Sequence, residues 1–206
     1  MSESPPPGAG APRSPGTTER TRRAILDAAV TAWTADRTAP MSEIARLAGV
    51  GRSTLHRYYA DRPALLRALD EEAFVLTVRA FAEAEPERGT PVEALRRLVR
   101  AMFDLGPVMS LLFTENRTDE EGDWDADRWE RIHAPVGALF MRGQREGVIA
   151  PGVDADWFVR CLWYLLSAGW EAVREGTTAR QRALDLVIGT LEHGLLAPGT
   201  DRGERG

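Results

Sequence analysis

The chain has 206 residues, 43% hydrophobic and 28% charged, with a net charge of −5. That is enough apolar material for a sizeable core, and it excludes a wholly disordered chain. A single cysteine, Cys161, excludes a disulfide scaffold. The longest apolar stretch, Trp157 to Trp170, is interrupted by Arg160 and is too short to span a bilayer. The N-terminus, MSESPPPGAGAPRSPG, lacks the apolar segment of a secretory signal, so a cytoplasmic location with no membrane partner is expected. All 26 basic residues are arginine, and they are unevenly spread. Residues 1–62 hold nine arginines and six acids, while the remaining 144 hold 17 arginines and 25 acids. A basic front on an acidic body permits a nucleic-acid contact at one end.

Residues 1–16 and 198–206 are rich in Pro, Gly, Ser and Ala without apolar periodicity, and read as disordered tails. Between them the periodicity is helical and no alternating strand pattern stands out, so an all-α fold is expected. Thr17 and Thr18 are candidate caps for a first helix with Ile25, Leu26, Ala29 and Trp33 on its buried stripe. A short second helix starts near Pro40 and a third runs from about Arg52 to Tyr59. Asp61 caps a fourth, with Pro63 in its first turn, that ends near Glu85. Thr90-Pro91 opens a fifth, which Gly106-Pro107 breaks, and a short apolar piece follows around Leu111 to Phe113. Longer helices are expected near 125–146, 154–175 and 178–196.

The informative stretch is PMSEIARLAGVGRSTLHRYY, residues 40–59. Ala45 lacks bulk where a second short helix crosses closely, and Gly49 can take the left-handed conformation that ends one helix and turns the chain. Ile44, Val50, Leu55 and Tyr59 then bury the inner face of the pair, which leaves Arg52, Ser53, His56 and Arg57 outward. Such a helix fits the major groove of DNA, with its first residues at base edges and its flanks on phosphates. Arg52 and Arg57 are the leading candidates for guanine or phosphate contacts, since arginine engages guanine with two hydrogen bonds. Ser53, Thr54 and Tyr58 are secondary candidates, joined by Ser42 and Thr18 at two helix N-termini.

Residues 18–76 resemble the DNA-binding domain of the TetR family of bacterial transcriptional repressors. The segments that carry the resemblance are RAILDAAVTAW, EIARLAGV, GRSTLHRYY and DRPALLRAL. It implies a DNA-binding domain over 17–62 and a ligand-binding and dimerisation domain over 63–197. It also implies a homodimer on a palindromic double-stranded operator, released when a small-molecule effector binds. Thr54 and Leu55 match the family pattern, whereas Tyr59 stands where phenylalanine is usual and brings a hydroxyl that needs a partner. His56 replaces a frequent tyrosine, and Gly51 replaces a serine that often caps the recognition helix. Arg62 takes the place of a lysine that commonly reaches the DNA backbone.

In the acidic body, Met102, Phe103, Met109, Phe113, Trp129, His133, Phe140 and Trp163 are candidates to line an effector pocket between helices. The bland alternative for each is core packing. Glu115 to Glu130 carries eight acids and reads as a solvated loop. The acids lack calcium-loop spacing and no His/Cys cluster accompanies them, so no metal or cofactor is expected. Near the C-terminus, Trp157, Cys161 and Leu165 on one helix and Leu184, Ile188, Leu191 and Leu195 on the next are candidates for a two-fold four-helix interface. A DNA-binding regulator without ligand control is the alternative within the same class. A small helical enzyme is the alternative from another. Against the enzyme, no phosphate loop, GxSxG or HExxH occurs, and His56, His133 and His193 lie on separate helices.

Overall fold

The computed structural model describes residues 16–115 and 126–195. The two tail readings and most of the acidic stretch lie outside these residues, as do the side chains of Phe113, Trp129 and Leu195. The described residues form helices and no β-strand: α1 (Thr17–Ala35), α2 (Met41–Leu47), α3 (Arg52–Tyr58), α4 (Arg62–Ala84), α5 (Pro91–Asp104), α6 (Gly106–Glu115), α7 (Ala126–Arg145), α8 (Ala155–Arg174) and α9 (Arg180–Leu195). No helix among them is long and apolar enough to cross a membrane.

Local chemistry sets most boundaries. The Asp61 side chain accepts from the Ala64 N–H at 2.8 Å and caps α4, with Pro63 in the first turn. Thr90 and Glu93 form a reciprocal capping box on α5. Asp154 caps α8 by accepting from the Trp157 N–H. At α1, by contrast, Gly16 is the N-cap and no side chain caps the helix. Thr17 and Thr18 are therefore first-turn residues and not caps. Pro40 likewise sits one position before α2. Gly106-Pro107 does not leave a break, because it starts α6 directly after Leu105. Proline suits that first turn, where its missing N–H is not needed.

Two hydrophobic cores divide the molecule. One gathers Ile25, Ala29, Trp33, Ile44, Leu55 and Leu65 from α1–α4, together with Leu111 and Leu112 of α6. The other gathers Phe81 of α4 with Leu98, Met102, Phe140, Phe158, Leu162 and Leu191 of α5 and α7–α9. Helix α4 belongs to both: Leu65, Leu69 and Ala73 enter the first core, Phe81 and Ala84 the second. Helix α6 also reaches both. Its start packs so closely on α8 that a Cβ on Gly106 would lie 2.7 Å from the Trp170 ring, while Leu111 and Leu112 are buried in the first core.

Candidate nucleic-acid interface

Helices α2 and α3 form a bihelical unit joined by a tight turn. Gly49 adopts φ +67°, a left-handed conformation that carries little penalty only for glycine. The Val50 N–H then returns to the Ala45 carbonyl at 3.0 Å. Ile44, Ala45 and Leu55 are at most 2% exposed and fix the inner face of the pair. Arg52, Ser53, His56 and Arg57 are exposed, and Thr54 and Tyr58 are half-buried. One helix thus carries an apolar underside and a cationic outer flank.

Several candidates have definite surroundings. Ser42 and Arg52 border the same groove of about 740 Å³, together with Glu43 and Arg46. Arg46 makes a two-point contact with Glu43, at 2.9 and 2.6 Å, and its guanidinium holds the Glu43 carboxyl below the usual glutamate value. The His56 Nδ1 lies 3.0 Å from the Ala60 carbonyl oxygen. A carbonyl only accepts, so Nδ1 carries the proton and Nε2 is the nitrogen left for other partners. The Arg57 guanidinium carbon is 5.9 Å from the centre of the Tyr58 ring. Thr18 is exposed in the first turn of α1.

Arg62 has contacts within its own domain. Its guanidinium carbon lies 4.2 Å from the Trp33 ring centre, and Nη1 donates to the Arg37 carbonyl at 2.8 Å. This cation is engaged with its own domain, where it ties the start of α4 to the end of α1. The Tyr59 hydroxyl is buried with no well-formed hydrogen bond among the described residues, although the Arg22 guanidinium is close enough to act on it. Burial pushes the phenol above its usual value, partly offset by that arginine.

In the body, Met102, Phe103 and Phe140 are at most 3% exposed, and Phe140 and Phe158 have ring centres 5.3 Å apart. These side chains are packed core. Met109, His133 and Trp163 are half-buried, and the Trp163 Nε1–H donates to His133 Nε2 at 3.2 Å. At the C-terminal helices, Leu184 and Leu191 are 5% and 0% exposed inside the chain's own core, so they offer no surface to a partner. Their face of α9 is turned toward α5 and α8 of the same chain. The apolar surface left outward includes Trp157, Tyr164 and Leu186, which are 56%, 66% and 46% exposed. Cys161, Leu165 and Ile188 are half-buried. Tyr164 and Leu186 stand outside the interface candidates that the sequence offers. Tyr164 sits two turns beyond Trp157 on α8, and that spacing could have found it.

A short outward helix behind a glycine turn, mounted on a larger all-α body, defines a helix-turn-helix transcriptional regulator. No model of a known protein family matches the chain. It is 37% identical over 181 residues to the HTH-type transcriptional repressor LfrR of Mycolicibacterium smegmatis, a match covering 88% of this chain and 93% of that one. It is 26% identical to the HTH-type transcriptional regulator NfxB of Pseudomonas aeruginosa, over 78% of this chain and 86% of that one. The crystal structure of LfrR from Mycobacterium smegmatis in complex with proflavine superposes with a TM-score of 0.71 and 35% identity, covering 89% of this chain and all of that one. The chain belongs to the TetR family of transcriptional regulators.

Proposed function

We propose that the protein is a homodimeric repressor in which α3 of each protomer enters the major groove of one half of a palindromic operator. The observation that carries this reading is the outward flank of α3, with Arg52, Ser53, His56 and Arg57 exposed above the buried Leu55. Arg52 and Arg57 serve as base or phosphate contacts, and Ser53, Thr54 and Tyr58 as secondary ones. Ser42 and the N-terminus of α1 around Thr18, which no side chain caps, supply further phosphate contacts. His56 meets DNA through Nε2, and Arg62 acts by positioning α4 and not by touching phosphate. The DNA-binding domain spans 17–62 and the ligand-binding and dimerisation domain 63–197. One module makes too few base contacts for tight specificity, so a second copy is required. The outward face of α8 and α9, around Trp157, Cys161, Tyr164, Leu165, Leu186 and Ile188, supplies the two-fold contact.

A small molecule lodged in the body near Met109, His133 and Trp163 displaces the protein from DNA. The complex of the relative LfrR with proflavine supports a small organic effector. Two helices carry its effect. Helix α4 runs through both cores, and α6 joins Trp170 of α8 to the core under α1 and α4. Effector binding favours a spacing of the two α3 helices that no longer matches the roughly 34 Å between half-sites. Selection of bound duplexes from a random pool tests the reading. A palindrome with half-sites about one helical turn apart is expected, with affinity falling steeply as salt rises. Retention of no sequence, or of one isolated half-site, overturns it.

A further inference from the structure

A second groove, of about 770 Å³, runs between α4 and α7. Phe81 and Ala82 of α4 and Ala134, Ala138 and Leu139 of α7 give it an apolar floor, and Arg131, Arg142 and Arg145 stand along it with a single lining acid, Glu87. The α7 residues recur every three or four positions, so they form one stripe along the helix. Arg142 stands eleven positions beyond Arg131, about 16 Å at a helical rise of ~1.5 Å per residue. Three cations against one acid stand out in a body where acids outnumber arginines. Arg131 and Arg145 have no carboxylate partner among the described residues, although Arg131 lies over the Phe74 ring, 4.9 Å from its centre. Arg142 donates through Nη1 to the Glu87 carbonyl. Its Nε and Nη2 are shielded from water and have no hydrogen-bond partner among the described residues. The Glu146 carboxylate is 4.0 Å from Nε, beyond hydrogen-bond reach. Shielded donors without acceptors are unfavourable, and an entering carboxylate relieves that cost.

We propose that this groove binds an elongated organic carboxylate, with its acid group on Arg142 and Arg145 and its apolar chain along the alanine floor toward Arg131. The site is separate from the interior residues assigned to effector release and does not depend on that assignment. Calorimetric titration of the full chain with decanoate tests it. One decanoate per chain is expected to bind at sub-millimolar concentration, whereas decyltrimethylammonium, of equal chain length and opposite charge, does not bind. Arg142→Gln and Arg145→Gln each weaken decanoate at least tenfold. Ala138→Trp, which fills the floor from an exposed position and leaves every charge in place, abolishes binding. Arg182→Gln, on α9, leaves it unchanged. No decanoate binding, equal binding of the ammonium amphiphile, or native affinity in Ala138→Trp or Arg145→Gln overturns the proposal.

Discussion

Thr77 of α4 and Met109 of α6 meet at the seam between the two cores, with Oγ1 4.0 Å from Sδ. Thr77 is 1% exposed, and Met109 packs against both cores. The seam therefore joins the two helices that run from the body to the DNA-binding domain. A flexible thioether fills such an irregular gap well. Met109→Leu conserves volume and is expected to lower stability by less than about 1.5 kcal/mol. Met109→Ala leaves a hole shared by both cores and is expected to lower it by about 2 kcal/mol or more. Urea unfolding monitored by tryptophan fluorescence measures both. Equal stability of the two variants would show that the seam is loosely packed.

The Tyr59 hydroxyl gives the opposite sign. Buried with no well-formed hydrogen bond among the described residues, it carries a desolvation penalty that phenylalanine lacks. Tyr59→Phe is expected to match the native protein in stability or exceed it by up to about 1 kcal/mol, while Tyr59→Ala loses about 3 kcal/mol. A loss above about 1 kcal/mol in Tyr59→Phe means the hydroxyl has a partner in solution.

Glu93 supplies a pH-dependent contribution. Its carboxylate accepts from the Thr90 N–H at 3.0 Å, and that hydrogen bond, with the Thr90 side chain, holds its pKa below the usual glutamate value. A folded-state pKa below the unfolded one adds stability that is fully present above the unfolded value and is lost as pH falls through the folded value. Glu93→Gln keeps a capping-box acceptor but cannot titrate. The native protein is therefore expected to lose its advantage over Glu93→Gln only on acidification through that window. Thermal unfolding at a series of pH values reads the difference, and a constant gap across the range contradicts the assignment.

On α3, Arg52 combines exposure with a place in the first turn, where recognition helices meet base edges. Arg52→Ala is expected to weaken the selected operator by about 1–3 kcal/mol and to relax preference at one base position in each half-site. Arg62→Ala is expected to lower stability through Trp33 and Arg37 and to leave the salt dependence of DNA binding unchanged. Fluorescence anisotropy with native and single-base-altered duplexes separates the two arginines. A uniform loss over all duplexes for Arg52→Ala reassigns it to phosphate.

The all-α class, the glycine turn and the caps at Asp61 and Thr90 were legible because each rests on chemistry within a few neighbouring residues. For α6 the sequence predicts a break followed by a short apolar piece, since a Gly-Pro pair signals an end as readily as a beginning. In the fold Gly106 lies against Trp170, 64 positions away in sequence, a close approach that local sequence does not show. The contacts of Arg62 are hidden from a local reading for the same reason: Trp33 lies on α1 and Arg37 in the turn after it, more than twenty positions away. Leu184 and Leu191 showed the limit of apolar periodicity. It marks the buried face of α9 without saying whether the same chain or a second copy buries it.

A contact between copies has to use the apolar residues that the fold leaves uncovered. Trp157 and Tyr164 are seven residues apart on α8, two helical turns along one face, and Leu186 is exposed on the adjacent α9. In a two-fold interface each such side chain meets its own counterpart or a near neighbour, so a charge placed there is buried twice. If the protomers pair through this face, Tyr164→Glu is expected to give a monomer, where the native protein sediments as a dimer, in sedimentation equilibrium at micromolar concentration. Its stability should stay near native, because the native side chain is mostly exposed within the chain. Operator affinity should fall far more than for any single α3 substitution, since one module is left to hold each half-site. Leu184→Ala offers the contrast: it opens a cavity in the chain's own core and lowers stability by about 2–5 kcal/mol with no direct effect on assembly. A dimer that persists in Tyr164→Glu would show that the protomers meet through another face.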